Sequence, residues 1–490
     1  VNGGVRGDKA STFGEEERFW YTNGSVAWEF TAHPMFSALR GAGAAQQDGP
    51  LGFLDFGKLR FAYGEAGTHP PVFSNVNAFT TGQVFGDGWI GGALSSIYAG
   101  FDGVVSEGTL GNPAIEPERS KEWEVGFELA MLDNRLALDV VRYDKQTEEA
   151  ILTVPVPPST GFFSQFKNGA EFDNEGWEVR LDGRPVQTSN FTWDFSAQYA
   201  QDESCVKELL GSESEFLAGF TFSRVSVVQP RDPDNPDETC FPFGVLRGDD
   251  FVRFGRGITV GGVDIDSAFP NAPEGAIFIA EDGLPRYDGQ LRVLGDPNPD
   301  WTGSLRNTVT LFNKVRLSAL IDIVQGFERW NGTKGALFFF GTHEATGPCH
   351  GEGCTFPSFS DYYREVLNID DETFAGPGTG TEVTLNWGNW FISGLGSGFT
   401  GPTTQFIEDA SFVKLRDVSA SYTFDQPQIR EAIGFSSIDV KVSGRNLATW
   451  TDYSGIDPEA ELGDQTIGRG LEYFNNPFTE SLVLTLQFNR

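Results

Sequence analysis

Between Ser120 and Tyr143, apolar and polar residues alternate with a period of two. Trp123, Val125, Phe127, Leu129 and Met131 hold the odd positions, and Glu122, Glu124, Gly126, Glu128 and Ala130 the even ones. That spacing puts each set on its own face of a strand. After Asp133 and Asn134 the pattern resumes, with Leu136, Leu138 and Val140 set against Arg135, Ala137 and Asp139. Two long strands joined by a tight turn are predicted. Each exceeds the roughly 5–6 residues of an ordinary strand and reaches the about 9–11 that cross a bilayer core. A soluble hairpin with one face on a core fits this stretch equally well, so recurrence along the chain has to decide.

The alternation does recur. Gly24–Thr31 starts a strand, and Leu59, Phe61 and Tyr63 alternate in another. Trp177, Val179 and Leu181 oppose Glu178, Arg180 and Asp182, and Phe191, Trp193, Phe195 and Tyr199 oppose Thr192, Asp194, Ser196 and Gln198. A second hairpin runs from Trp301 to Ile321, and the last strands fall at 412–424, 437–447 and 482–490. Short turns near 133, 184, 313 and 425–435 alternate with long excursions near 8–20, 65–119, 151–165, 203–299, 327–408 and 451–479. Such alternation gives the sheet two unequal sides, as in outer-membrane barrels with short periplasmic turns and long extracellular loops. A sandwich predicts no such asymmetry.

Composition sharpens this picture. With 60 Gly, 44 Phe, 11 Trp and 11 Tyr the chain is biased toward large sheets. No apolar run is long enough for a transmembrane helix, which says nothing against strands that alternate. A net charge of −34 without a basic stripe excludes nucleic acid as a partner. Cys205, Cys240, Cys349 and Cys354 form two sequence-local pairs on the long-loop side, and disulfides in an oxidising compartment are expected. Zinc on Cys349, His350, Cys354 and His343 is the alternative, although CHGEGC lacks the usual knuckle spacing. DPDNPDE at 232–238 and ELGD at 461–464 could attract calcium, but neither matches an EF-hand loop, so no cofactor is expected.

Several segments together resemble the SusC/RagA-like TonB-dependent outer-membrane receptors: KLRFAYGEAG, EPERSKEWEVGFE, NEGWEVRL, GDPNPDWTGSLRNT, FVKLRDVSASYTF and SGRNLATWTDYSGIDPE. The resemblance implies an all-β fold, an antiparallel transmembrane β-barrel of 22 strands, of which residues 1–490 would supply about the C-terminal twelve with long extracellular loops. The plug domain, TonB box and first strands of such a receptor have no counterpart before Val1, and the terminal aromatic of outer-membrane barrels is replaced by Phe488-Asn489-Arg490. A half-barrel alone would leave unpaired edges in lipid, so the other half is expected as further chain or a partner.

The function implied by the resemblance is active import of bulky nutrients, oligosaccharides or peptides, across the bacterial outer membrane. The implied partners are a SusD-like surface lipoprotein and TonB-ExbB-ExbD, the latter reached through the missing N-terminal part. A barrel-anchored adhesion or structural protein is the alternative. An enzyme is not expected: Asp361, Asp370, Asp371 and Glu372 offer carboxylate pairs, but no nucleophile or histidine constellation accompanies them. For ligand contact the candidates are Trp330, Tyr362, Tyr363, Trp387 and Trp390, because flat aromatic faces stack on sugar rings and the 327–408 segment is too long for a mere connector.

Overall fold

In the computed structural model, twelve strands run antiparallel in chain order through one sheet, to which the two-residue strand Thr109–Leu110 adds a parallel pairing at Ser164–Gln165. All residues are described except 15–17, 41–48, 82–96, 99–100, 103, 107, 210–212, 220–222, 232–238, 429–433, 463–468 and 490. The strands are β1 (Asn2–Asp8), β2 (Phe19–Glu29), β3 (Leu54–Thr68), β4 (Glu118–Met131), β5 (Leu136–Pro155) and β6 (Ser164–Gln187). They continue as β7 (Phe191–Leu209), β8 (Trp301–Leu311), β9 (Val315–Gln325), β10 (Phe412–Phe424), β11 (Ser437–Thr451) and β12 (Ser481–Asn489). The β4–β5 hairpin is the one read from the sequence, and its turn runs through Leu132, Asp133 and Asn134, all at positive φ.

Register sorts the side chains into two faces. Leu59, Phe127, Val140, Val179 and Tyr199 are successive cross-strand neighbours on one of them. That face is apolar, with Val125 46% and Trp177 44% exposed. It is banded by aromatic residues at both ends: Tyr63, Trp123, Trp177, Tyr199, Trp301 and Trp450 on one side, Phe191, Trp193, Phe195, Tyr422 and Phe488 on the other. Paired girdles around an apolar belt are what a lipid bilayer selects.

Glu122, Glu124 and Glu128 lie on the opposite face, as expected. There Lys58 pairs with Glu128 at 2.8 Å and Arg60 with Asp139 at 2.5 Å. One cleft on this face is lined by residues of β3 and of β5 to β10. A flat sheet would hold β3 and β10 about 34 Å apart, seven spacings of about 4.8 Å. A single cleft reaches both because the sheet curls, with the charged face concave.

Three expectations are corrected. Arg184–Pro185 is not a turn but a bulge inside β6, because Gly183 pairs with Phe195 and Val186 with Trp193. Proline has no N–H to give the ladder, so the pairing skips past it. The chain reverses instead at Thr188–Asn190, where Thr188 N–H donates to the Phe191 carbonyl at 2.8 Å. The excursion expected at 151–165 shrinks to eight residues, since β5, β6 and β7 run to 20, 24 and 19 residues and rise well beyond the membrane belt. On the short-turn side, the connection from Phe30 to Phe53 is long and carries the helix Pro34–Arg40.

Above the belt, three of the long connections fold into one tier. The segment between β7 and β8 builds a four-stranded sheet of Ser214–Gly219, Ser223–Val228, Val245–Phe251 and Tyr287–Gly295. The segment between β9 and β10 adds helix α1 (Gly332–Phe340), capped by the Asn331 side chain and ended by Gly341 in the left-handed region. Val225, Leu246, Phe251 and Ile277 of the first connection, Trp330, Phe338 and Phe406 of the second and Leu471 of the last share one apolar core. Cys205 is bonded to Cys240 and Cys349 to Cys354, with Cα atoms 5.4 and 4.4 Å apart, so these sulfurs are not available to zinc.

Two predictions follow from this architecture. Val125→Arg should destabilise the complete receptor in bilayers by about 2–4 kcal/mol if its level is near the midplane, whereas Glu124→Arg, one residue away on the wet face, should cost far less. Urea titration of both variants checks the difference, and equal losses would contradict the assignment of faces. Opening the 35-residue Cys205–Cys240 loop should cost about 4 kcal/mol and the 5-residue Cys349–Cys354 loop about 2 by chain entropy. Non-reducing peptide mapping, then thermal melts of the Cys→Ser variants, tests both pairing and ranking.

Candidate functional site

The concave face carries two clefts that meet. The lower one, about 660 Å³, is lined by Arg60, Asp139, Arg180, Gln198, Asp322 and Arg416 among others. The upper one, about 340 Å³, is lined by Tyr143, Asp202, Asn298, Arg329, Glu461 and Arg469 among others. Ala200, Thr302, Val324 and Glu459 belong to both, so together they form one wet path from the barrel wall up to the loop tier. Tyr143 donates to Asp202 at 2.6 Å along this path.

At the junction, charges from β10 meet the last long connection, residues 452–480. Lys414 lies opposite Asp322 on the concave face, and Arg416 stands in a bulge of β10, between Leu415 and Asp417, from which it turns to the same face. Arg416 reaches Asp322 through Nε at 2.6 Å and grips Glu459 with its two terminal nitrogens at 2.8 and 2.6 Å. Lys414 donates to Asp457 at 2.7 Å and to Glu459 at 2.6 Å. Just after β9, Arg329 donates to the Ala460 carbonyl and pairs with Glu461 at 3.2 Å. Burial pushes the Glu459 and Asp457 carboxyls up, but the bonds from Arg416 and Lys414 outweigh it and hold both below the usual carboxylate range. At Glu461 burial wins, and its carboxyl is raised despite Arg329.

The expected aromatic residues are brought together, but mostly inward. Trp330, Tyr362, Tyr363 and Trp390 are buried in the tier's core. Trp390 packs edge-on against Phe359 and Tyr362, and Trp330 stacks on Tyr473 with planes 10° apart. Trp387 is half-buried and lies 4.9 Å from the exposed ring of His350. Gly341 is tight against this pair, since a Cβ there would come within 2.6 Å of the Trp387 Nε1 and 2.7 Å of the His350 ring.

The acidic stretch is built into the framework. Glu372 takes two bonds from Arg253 at 2.7 and 2.6 Å, Asp370 pairs with Arg364 at 3.2 Å, and Asp361 accepts from Ser358 at 2.7 Å. Asp370, Asp371 and Glu372 line a separate acidic cleft of about 340 Å³ with Glu328, Glu408 and Asp409. Among the described residues no group of three or more His, Cys, Asp or Glu side chains is arranged to hold a metal. The calcium candidates at 232–238 and at 463–464 lie outside the described residues. Sequence reasoning passed over Arg329, Lys414, Arg416, Asp457 and Glu459. The signal was there in FVKLRD, where a strand with an apolar face carries two cations on the other.

The family model for the TonB dependent receptor-like β-barrel matches residues 1–447. TonB-dependent receptor P3 of Formosa agariphila is 23% identical over 509 residues, covering 98% of this chain and 43% of that protein. TonB-dependent receptor SusC of Bacteroides thetaiotaomicron is 25% identical over 103 residues, 21% of this chain and 10% of that protein. Among solved structures, the RagAB peptide importer in its closed-closed state superposes with a TM-score of 0.62 at 16% identity, covering 99% of this chain and 45% of that one. The chain thus spans under half the length of the relatives it matches along its whole extent. The apolar belt seats it in outer-membrane lipid, and the chain belongs to the TonB-dependent receptor-like β-barrel family.

Proposed function

We propose that this chain supplies wall and loops to an outer-membrane receptor that imports bulky nutrients, oligosaccharides or peptides, with energy delivered through TonB. The observation that carries this reading is the continuous wet path on the concave face, rising from Arg60 and Asp139 to Arg469 under a folded loop tier. An adhesin anchored by a barrel has no use for a lined path on its inner face. RagAB is described as a peptide importer, which supports a peptide as one ligand class. A SusD-like lipoprotein would cover the tier from outside, and the TonB-ExbB-ExbD complex would act through the N-terminal part of the receptor.

In this reading the five aromatic residues divide the work. Trp330, Tyr362, Tyr363 and Trp390 make the tier rigid, and Trp387 beside His350 offers a face for stacking on a ligand. Trp387→Ala should weaken ligand binding to the complete receptor by about 1–3 kcal/mol per lost stacking contact, without changing the melting of the barrel. Trp390→Ala should instead destabilise the tier by about 3–5 kcal/mol. Calorimetry against a panel of oligosaccharides and peptides, beside limited proteolysis of the loops, separates the two effects. A Trp387→Ala receptor with unchanged affinity for every ligand the parent binds would remove Trp387 from the binding surface. A complete receptor that neither binds nor takes up any member of the panel would count against import.

A further inference from the structure

Between two apolar anchors, the last long connection lies on the wall by charge. Tyr453 packs with Phe327, Ala410 and Phe412, and Leu471 packs in the tier's core, but residues 457 to 462 enter none of the four apolar clusters. What ties this segment to the wall is the set of contacts from Lys414, Arg416 and Arg329 to Asp457, Glu459, the Ala460 carbonyl and Glu461. Within its own connection Asn475 donates to the Glu461 carbonyl at 2.6 Å, Phe478 N–H to Asp457 at 3.2 Å and Leu462 N–H to the Leu471 carbonyl at 2.8 Å. Lys414 and Arg329 are each 2% exposed. All three cations belong to the wall or its immediate extension, with Arg416 lining the lower cleft and Arg329 the upper, whereas their acceptors come from one short stretch whose Glu459 lines both clefts.

Stripping a buried cation of its partner is strongly unfavourable, so the segment can lift only when another anion takes its place. Asp322 would stay on the Arg416 Nε, leaving the two terminal nitrogens free to grip a carboxylate as they now grip Glu459. We propose that Asp457–Glu461 is a built-in surrogate for a carboxylate-bearing ligand, and that Lys414, Arg416 and Arg329 form the site such a ligand takes over as the segment lifts and the clefts merge. This rests on the import reading and names its ligand class: an oligomer carrying repeated carboxylates, whether uronate sugars or acidic amino acids.

The test uses the complete receptor in nanodiscs and the near-isosteric double variant Asp457→Asn/Glu459→Gln, with heat-modifiable migration confirming the barrel. Amide exchange across residues 459–462 should rise at least about tenfold in the variant. Calorimetric affinity for tetragalacturonate or tetraglutamate should rise about tenfold, because the internal competitor is weakened, while affinity for neutral maltotetraose stays unchanged. Whichever anionic oligomer binds identifies the source of the carboxylates, and Lys414→Met with Arg416→Met should abolish that binding. Unchanged exchange in the variant, or anionic affinity that does not rise, overturns the proposal. Binding of maltotetraose or of a neutral peptide with no anionic oligomer bound also overturns it but leaves import standing, whereas a receptor that binds none of these probes overturns both.

Discussion

The structure depends on one sheet having to satisfy two solvents. On the lipid side no water is present to accept or donate hydrogen bonds, so every backbone group in the belt must be paired within the ladder. Twelve strands in chain order, each antiparallel to the next, achieve this with neighbours along the sequence. Side chains then follow without freedom of choice, because a slip of one residue would exchange the apolar and charged faces throughout a strand. That is why Trp123 and Val125 alternate with Glu122 and Glu124, and why the same alternation returns in strand after strand.

A charged concave face creates a second problem, which ion pairing solves. Arg60 with Asp139, Lys58 with Glu128 and Arg416 with Asp322 each pair across neighbouring or nearby strands. In a wet lumen such pairs contribute modestly to stability, on the order of 0–1 kcal/mol each. Their larger effect is to leave a lining of fixed dipoles and exchangeable partners along the path. Where burial deepens, at Lys414 and Arg329, pairing becomes obligatory, and the partners come from the 452–480 connection rather than from the wall.

The wall was legible in the sequence because lipid imposes periodicity, and the tier was not because water does not. The β4–β5 hairpin could be read residue by residue, from its alternation and from Asp133–Asn134, which tolerate the left-handed backbone of the turn. Arg184–Pro185 carried an equally strong turn signal and misled, since a bulge and a turn use proline for the same reason, its missing donor. Within the tier, aromatic density at 327–408 announced something other than a connector. It could not tell a ligand surface from a core, because stacking on a sugar and packing against Phe359 or Phe391 draw on the same flat apolar faces. Trp330, Tyr362, Tyr363 and Trp390 are buried within the tier, and of the five Trp387 keeps a partly open face.

The same reasoning explains why the junction residues escaped notice. Lys414 and Arg416 look like ordinary polar positions of an alternating strand until the 452–480 connection is brought back across more than forty residues to meet them. A strand is rigid and a long loop is not, so placing the cations on β10 and their partners on the connection fixes one half of the contact while the other remains able to exchange. Apolar anchors at Tyr453 and Leu471 hold the two ends of the connection, and the stretch between them meets the wall through charge.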